Sequence, residues 1–225
     1  MKVNSQTLLT FVLVGCAVVT TALVVRRELL STPQHAPQKT VYVKDWRSGL
    51  DKGFLLGPPA APIQLIEFAD FECPFCAAFE QHLKSVEEKH PGQIAVTYVE
   101  FPLAQHRFAI PAARVVECAG EQGRFAAMHA RLFQDQDQFG LTPWSEYAKR
   151  AGVPDESAFE FCIQKKSPLP RVELGKQWGT KLDIQGTPTV IINGWLLGRI
   201  PNADELDSMV RAILAGKSPV ADHTA

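Results

Sequence analysis

The feature that most constrains the fold is a strand-like run that ends just before two closely spaced cysteines. Residues 63–69 alternate as a half-buried β-strand would, and Cys73-Pro74-Phe75-Cys76 follows after a three-residue gap. Proline suits the first position of a helix, because an N–H group there would be unpaired and its φ is already helical. The sequence therefore predicts a strand, a tight turn and a helix that begins at the cysteines.

Two cysteines at a helix start have a defined chemistry. The N-terminus carries unpaired N–H groups and about half a positive charge, which favours a thiolate over a thiol. Cys73 is the predicted nucleophile, and Cys76, one turn further, resolves the mixed disulfide. Half of a zinc site and an inert disulfide are the alternatives. Because no second C-x-x-C pair or spaced histidine pair accompanies the motif, we favour redox catalysis and predict no metal.

Two stretches carry a family resemblance. Residues 68–76 (Phe-Ala-Asp-Phe-Glu-Cys-Pro-Phe-Cys) resemble the active-site signature of DsbA-like thioredoxin-fold thiol:disulfide oxidoreductases, and Gly186-Thr187-Pro188-Thr189 matches a second motif far downstream. The resemblance implies an α/β thioredoxin fold with an inserted all-helical subdomain. It also implies an enzyme that exchanges thiols and disulfides, with no cofactor beyond the redox-active Cys73–Cys76 disulfide.

The same resemblance assigns roles to the second motif. In thioredoxin-fold oxidoreductases the matching proline is cis and faces the disulfide, which we expect of Pro188. A cis X-Pro bond would leave the preceding backbone free to pair with an extended substrate as an added strand. Thr187 is expected to supply that pairing, beside Cys73.

Glu67 is the third candidate site residue. Strand alternation places it on the same face as Ile63 and Leu65, six residues before Cys73. The pattern alone leaves open a buried carboxyl group or a solvent-facing glutamate at a strand edge. If buried, Glu67 would have a raised pKa and could take the proton of Cys76. The resemblance favours this relay, since DsbA-like proteins carry an acidic residue at the matching place.

Two further cysteines and two histidines fall in or near the helix-rich middle. Cys118 and Cys162 could be buried free thiols, but a leftover pair in an oxidising compartment more often bridges, so we hypothesise a structural disulfide. His106 follows the second predicted strand, near a possible substrate groove. His129 lies on an apolar helix stripe and is expected to be packed.

The order of the predicted elements is β-α-β, a helix-rich middle, then β-β-α, which completes a thioredoxin fold. The middle is helix-rich by sequence, and the resemblance implies that it is an insertion. The predicted segments are an N-terminal membrane anchor over 1–27, a linker over 28–40, a thioredoxin-fold domain in two parts over 41–103 and 184–217, a helical insertion over 104–183 and a C-terminal tail over 218–225.

The N-terminus has no charged side chain from Val3 to Val25, close to the minimum length of a spanning helix. A cleaved signal peptide is one alternative, although no clear small-x-small site precedes the arginines at 26–27. A lipoprotein signal is another, because Leu13-Val14-Gly15-Cys16 reads like a lipobox, although the following residues stay apolar. We favour an uncleaved signal anchor in the cell membrane, with an extracytoplasmic (periplasmic) catalytic domain.

Charge and the active-site dipeptide bear on function. A net charge of −1 without a basic cluster gives no indication of nucleic-acid binding. A low thiolate pKa makes the disulfide a good oxidant. Phe75, however, lacks the ring nitrogens of the Pro-His dipeptide of the best-known oxidases. We expect a membrane-tethered oxidase that donates disulfides to exported cysteine-containing proteins and is recycled by a membrane redox partner.

Three alternatives accompany this expectation. One is a reductase or isomerase of the same fold, although the segment 39–62 is too short for the dimerisation region that isomerases usually carry. The others are a non-catalytic thioredoxin-fold binding module, against which Cys73, Cys76 and Pro188 argue, and a metal-handling protein.

Overall fold

The computed structural model describes residues 11, 13–21 and 39–220. The chain divides into two units, residues 1–37 and 38–225. In the first unit, residues 13–21 are helical and exposed. The predicted anchor (1–27), linker (28–40) and tail (218–225) lie largely outside the described residues. No helix in the described parts is both long and apolar enough to cross a membrane.

A six-stranded mixed sheet forms the centre of the second unit, in the order β1-β6-β5-β3-β4-β2. The central strand β3 runs parallel to β4 and antiparallel to β5. The strands are β1 (Val41–Tyr42), β2 (Phe54–Leu56), β3 (Ile63–Ala69), β4 (Ile94–Glu100), β5 (Thr189–Ile192) and β6 (Trp195–Leu196).

Among the described residues of this unit, seven helices surround the sheet, with 3₁₀ turns at Trp46–Gly49 and Gln136–Gln138. They are α1 (Pro74–Lys89), α2 (Ala109–Gly120), α3 (Phe125–Gln134), α4 (Trp144–Arg150), α5 (Glu156–Ile163), α6 (Pro170–Lys181) and α7 (Ala203–Leu214).

The two faces of the sheet have different covers. On one face, α1 and α7 bury the inward side chains of β3 and β5; this core includes Ile63, Leu65, Phe79, Leu83, Val190, Leu206 and Val210. On the other face, Trp178 of α6 stacks on Phe68 with ring centroids 4.9 Å apart. Gly175 allows this helix to lie directly on β4, because a Cβ there would be 2.3 Å from the Glu100 carbonyl oxygen. The thioredoxin-like α/β fold is therefore confirmed.

Helices α2 to α5 share a core of their own, into which the cysteine-containing turn also packs. Phe71 of that turn stacks on Tyr98 of β4 at 4.8 Å. A disulfide joins Cys118 of α2 to Cys162 of α5, and both residues are buried. The helical bundle and the start of α1 thus form one continuous apolar cluster.

Some elements differ from expectation. Strand β2 was not predicted, because it is three residues long and depends on antiparallel pairing with β4, some forty residues later. Helix α6 lies against the sheet through Trp178 and Gly175, whereas its Val172 packs with Ala113 of α2.

Candidate active site

The dithiol lies where β3 gives way to α1. Cys73 is the N-cap residue of α1, and Pro74 occupies the first helical turn. The Cys73 N–H group donates to the Asp70 carbonyl oxygen at 3.0 Å, which closes the turn. The Cys73 carbonyl oxygen accepts the N–H groups of Cys76 and Ala77 at 3.1 and 3.2 Å, the first bonds of the helix. The turn is therefore fixed by backbone bonds on both sides of the first cysteine.

The second motif faces the dithiol because of the sheet register. Strand β5 is antiparallel to β3, with Thr189 opposite Phe68, so the residues before β5 lie beside the turn after β3. The Thr187–Pro188 peptide bond is cis. The Cys73 thiol donates to the Thr187 carbonyl oxygen at 3.3 Å. The Thr187 hydroxyl is buried and has no hydrogen-bond partner among the described residues.

The two thiols are unbonded and have opposite acidities. A hydrogen bond from the Cys76 thiol lowers the pKa of Cys73 to about 6, against burial, which raises it. The backbone N–H groups of Cys76 and Phe75 lower this pKa further. Burial, followed by the same bond between the thiols, raises the pKa of Cys76 well above its usual value. The thiolate of the pair is therefore on Cys73.

Glu67 is buried on the face of β3 that supports the dithiol. It is 1% exposed, and neither carboxyl oxygen has a hydrogen-bond partner among the described residues. Burial raises its pKa well above the usual value, with contributions from the charges of Glu80 and Cys73. Of the two possibilities left open by the strand pattern, the structure has the buried carboxyl group.

A second carboxyl group, not singled out in the sequence, lies near the first. Glu80 is on α1 one turn after Cys76, and burial followed by the charge of Glu87 raises its pKa to about 7. It lines a surface pocket of about 380 Å³ that His129 also lines, with Glu80 Oε1 3.8 Å from His129 Nδ1. His129 is packed as expected, and burial lowers its pKa to about 3. The i, i+4 spacing from Cys76 was the available sequence signal for Glu80.

Two acidic residues before Cys73 hold the turn to the loop after β4. The Asp70 carboxylate accepts the Glu72 N–H at 2.8 Å and the Leu103 N–H at 2.8 Å, and it bonds His106 Nδ1 at 2.7 Å. The Glu72 carboxylate accepts the N–H of Phe108, the N-cap residue of α2. His106 therefore bonds the back of the active-site turn, and the sequence suggested its location but not its partner.

The structure gathers five of the seven candidate residues at the end of β3: Glu67, Cys73, Cys76, Thr187 and Pro188. Cys118 and Cys162 lie apart, as a disulfide within the helical bundle. Phe75, between the reactive cysteines, is 72% exposed. In the described ranges, no group of three or more histidine, cysteine or acidic side chains could hold a metal ion.

A strand that ends in a dithiol helix, a facing cis-proline motif and an inserted helical bundle define a DsbA-like thioredoxin-fold protein. The chain belongs to the thioredoxin family, since the profile of the family described as Thioredoxin matches residues 50–212. The recognition made from the two motifs is confirmed.

The chain is also similar to individual proteins of known name. The chain is 27% identical over 174 residues to disulfide bond formation protein D of Bacillus subtilis, covering 72% of this chain and 78% of the relative. It is 32% identical over 170 residues (74% of this chain) to an Na⁺/H⁺ antiporter, NhaA 1, of Mycolicibacterium gilvum, but spans only 27% of that protein. The oxidised crystal structure of BdbD from Bacillus subtilis superposes with a TM-score of 0.65 at 20% identity, covering 80% of this chain and 100% of that one.

Proposed function

We propose that the protein is a thiol:disulfide oxidoreductase that works as an oxidase and donates the Cys73–Cys76 disulfide to other proteins. The observation that carries the proposal is the position of Cys73 at the N-terminus of α1, where it faces the cis Thr187–Pro188 bond. In these surroundings the pKa of Cys73 is lowered to about 6, and that of Cys76 is raised. A stabilised thiolate favours the reduced form of the enzyme, so its disulfide is a good oxidant. The name of the Bacillus subtilis relative supports this direction.

The first step forms a mixed disulfide. A substrate thiolate attacks Cys73 Sγ in the oxidised enzyme, and a substrate–Cys73 bond replaces the Cys73–Cys76 bond. The electron pair leaves on Cys76, whose high pKa makes it take up a proton. Glu67, protonated because its pKa is raised, is the buried donor for that proton.

The second step releases the product. Another substrate thiolate attacks the substrate sulfur of the mixed disulfide, the substrate disulfide forms, and Cys73 leaves as a thiolate. A thiol of low pKa is the better leaving group, so the acidity of Cys73 favours this step. The substrate has then lost two electrons and the enzyme has gained them. The electrons pass through the two cysteines, and Glu67 exchanges the proton of Cys76.

Thr187 and Pro188 form the wall against which a substrate would lie. The Thr187 carbonyl oxygen contacts Cys73 Sγ, so a segment bonded to that sulfur lies next to the Thr187 backbone. We assign Thr187 the role of a backbone partner for the substrate, as in strand addition. The exposed Phe75 adds an apolar contact at the same edge.

The proposed setting is extracytoplasmic, with residues 1–27 as the tether and a membrane redox partner that reoxidises the dithiol. Its support is the apolar N-terminal sequence and the chemistry, since disulfides persist only in oxidising compartments. The substrates are exported cysteine-containing proteins. The antiport activity named for the Mycolicibacterium relative is not extended to this chain, which spans about a quarter of that protein.

Equilibration of the Cys73/Cys76 pair with glutathione tests the direction of transfer. An oxidase is expected to have a reduction potential well above that of thioredoxin, towards about −120 mV, and to oxidise a reduced two-cysteine peptide stoichiometrically. A potential near about −270 mV would identify a reductase instead. If the pair exchanged with neither glutathione nor the peptide, the protein would be a non-catalytic binding module.

A further inference from the structure

One side chain of the helical insertion reaches the dithiol turn. Gln136 places its amide nitrogen 2.6 Å from the Phe71 carbonyl oxygen and 3.0 Å from the Cys73 carbonyl oxygen. Both partners can only accept, so the amide forms these bonds only with its NH₂ group turned to the dithiol. Its two hydrogens bridge the carbonyl groups on either side of Glu72.

The segment that carries Gln136 is itself held in place. The carbonyl oxygen of the preceding residue, Asp135, accepts the hydroxyl of the buried Tyr147 at 2.9 Å. The Asp135 carboxylate pairs with Arg150 at 3.1 Å and with Arg131 at 3.5 Å. These contacts come from α3 and α4, so the Gln136 amide is presented by the helical bundle and not by a free loop.

The position of this amide matters electrostatically. The Cys73 carbonyl oxygen already accepts the first two N–H groups of α1, and Gln136 adds a third donor on the same atom. The positive end of the amide dipole therefore points at the peptide group of the reactive cysteine, in the same sense as the helix N-terminus. Positive potential at this point favours the thiolate over the thiol.

We propose that Gln136 is a positioning residue for the reactive thiol, through which the helical bundle holds the Cys73 carbonyl and orients its sulfur between the start of α1 and the Thr187 carbonyl. The proposal rests on the proposed function, because it gives the insertion a part in setting how oxidising the dithiol is. Neither Gln136 nor the 3₁₀ turn that carries it is marked by the two sequence motifs.

The variant Gln136→Ala tests the proposal in the full chain. We expect the pKa of Cys73, followed by thiolate absorbance during pH titration of the reduced protein, to rise by about 0.5 unit, the scale of an interaction at a helix terminus. The equilibrium constant for reduction of the enzyme by glutathione should fall about threefold in parallel, because the reduced form of the enzyme loses that stabilisation. Gln136→Glu keeps the shape but turns a carboxylate towards two carbonyl oxygens, so its upward shift should be larger.

Gln138→Ala is the matched control. Gln138 belongs to the same 3₁₀ turn, and its side-chain amide donates to the Asp137 carboxylate and to no other group among the described residues. We expect this variant to keep the wild-type pKa of Cys73. The proposal is overturned if the Gln136 variants also keep that pKa, even if they unfold at lower temperature, or if Gln138→Ala shifts it equally.

This measurement is independent of the direction of transfer. The Cys73 pKa is read on the reduced protein without substrate, whereas the oxidase assignment depends on the wild-type reduction potential. A wild-type potential like that of thioredoxin, together with a pKa shift in Gln136→Ala, would refute the oxidase and support the role of Gln136. A wild-type potential well above that of thioredoxin, without a pKa shift in Gln136→Ala, would support the oxidase and refute the role of Gln136.

Discussion

The molecule contains two cysteine pairs that are both buried but differ in their chemical surroundings. Cys73 and Cys118 are each 2% exposed, so burial does not separate the reactive pair from the bridged one. Cys73 is at a helix N-terminus beside Thr187, with a carboxyl group behind the pair. Cys118 lies near the end of α2, where the helix dipole disfavours a thiolate, and its partner comes from α5, 44 residues away.

The comparison shows what makes a cysteine pair exchangeable. In the reactive pair the turn fixes a donor network around one sulfur, so the two thiols have pKa values shifted in opposite directions. In the bundle pair the bond joins two helices that also pack on one another. The first arrangement favours breaking and reforming the bond, and the second favours keeping it.

The largest expected effect separates the pairs by activity. Cys73→Ser removes the sulfur that the substrate attacks, so disulfide transfer to a reduced two-cysteine peptide should fall at least a thousandfold, to background. Cys76→Ser should instead trap mixed disulfides, visible on a non-reducing gel. The double variant Cys118→Ala/Cys162→Ala is the control and should keep most of the transfer rate. Transfer by Cys73→Ser at the wild-type rate would refute the mechanism.

The second prediction separates the pairs by stability. Removing the bundle disulfide with Cys118→Ala/Cys162→Ala should lower the free energy of unfolding by about 2–4 kcal/mol, the usual range for a closed loop of this kind. Urea titration of the oxidised forms measures this loss. Mass spectrometry of the wild type, with the active-site thiols blocked, should find the linked peptides. Two alkylatable thiols there would contradict the bridge.

The third prediction concerns Glu67, the buried carboxyl group behind the reactive pair. Glu67→Gln keeps the shape of the side chain but cannot exchange a proton. The steps in which Cys76 gains or loses its proton should therefore slow about tenfold to a hundredfold, at the lower end of general acid–base effects. Stopped-flow reduction of the oxidised enzyme, compared with Glu87→Gln as a control, measures the loss. Equal rates in all three proteins would exclude the relay.

Glu67→Gln should slow the reaction but stabilise the folded protein at high pH. The folded pKa of Glu67 is raised, so the folded state keeps a proton that the unfolded state loses above about pH 4.3. The free energy of unfolding of the wild type should therefore fall as pH rises from that value towards the raised pKa. Glu67→Gln should show a shallower fall and be the more stable protein at pH 8. A steeper fall in the variant would contradict the buried carboxyl.

The smallest effect is a pH profile. With a Cys73 pKa of about 6, the thiolate fraction, and hence the alkylation rate of the reduced protein, should rise about tenfold between pH 5 and pH 7 and then level off. Cys73→Ser, in which Cys76 is the remaining active-site thiol, should react slowly over this whole range. An alkylation rate that still rises tenfold per pH unit at pH 8 would show that the pKa of Cys73 lies above 8 and would contradict the lowered value.

Several features could be predicted because their signals are local. The strand at 63–69, the helix that starts at Pro74 and the Asn193-Gly194 turn between β5 and β6 each follow from alternation, proline position or turn residues over a few positions. The capping box of α7, between Asn202 and Glu205, is equally local. The partners of the active-site turn are not: Leu103, His106, Phe108 and Gln136 come from segments 30 or more residues away.

The chemistry of the site could be predicted from the sequence, because two cysteines at a helix start and a Thr-Pro motif before an apolar strand restrict what these residues can do. The sequence left open whether Glu67 is buried and which groups hold the turn. Both points depend on the fold. The pKa of a thiol or carboxyl group depends on burial and on donors a few ångströms away, and the fold of distant segments brings those donors together. Gln136, 63 residues from Cys73 and 3.0 Å from its carbonyl oxygen, is the clearest case.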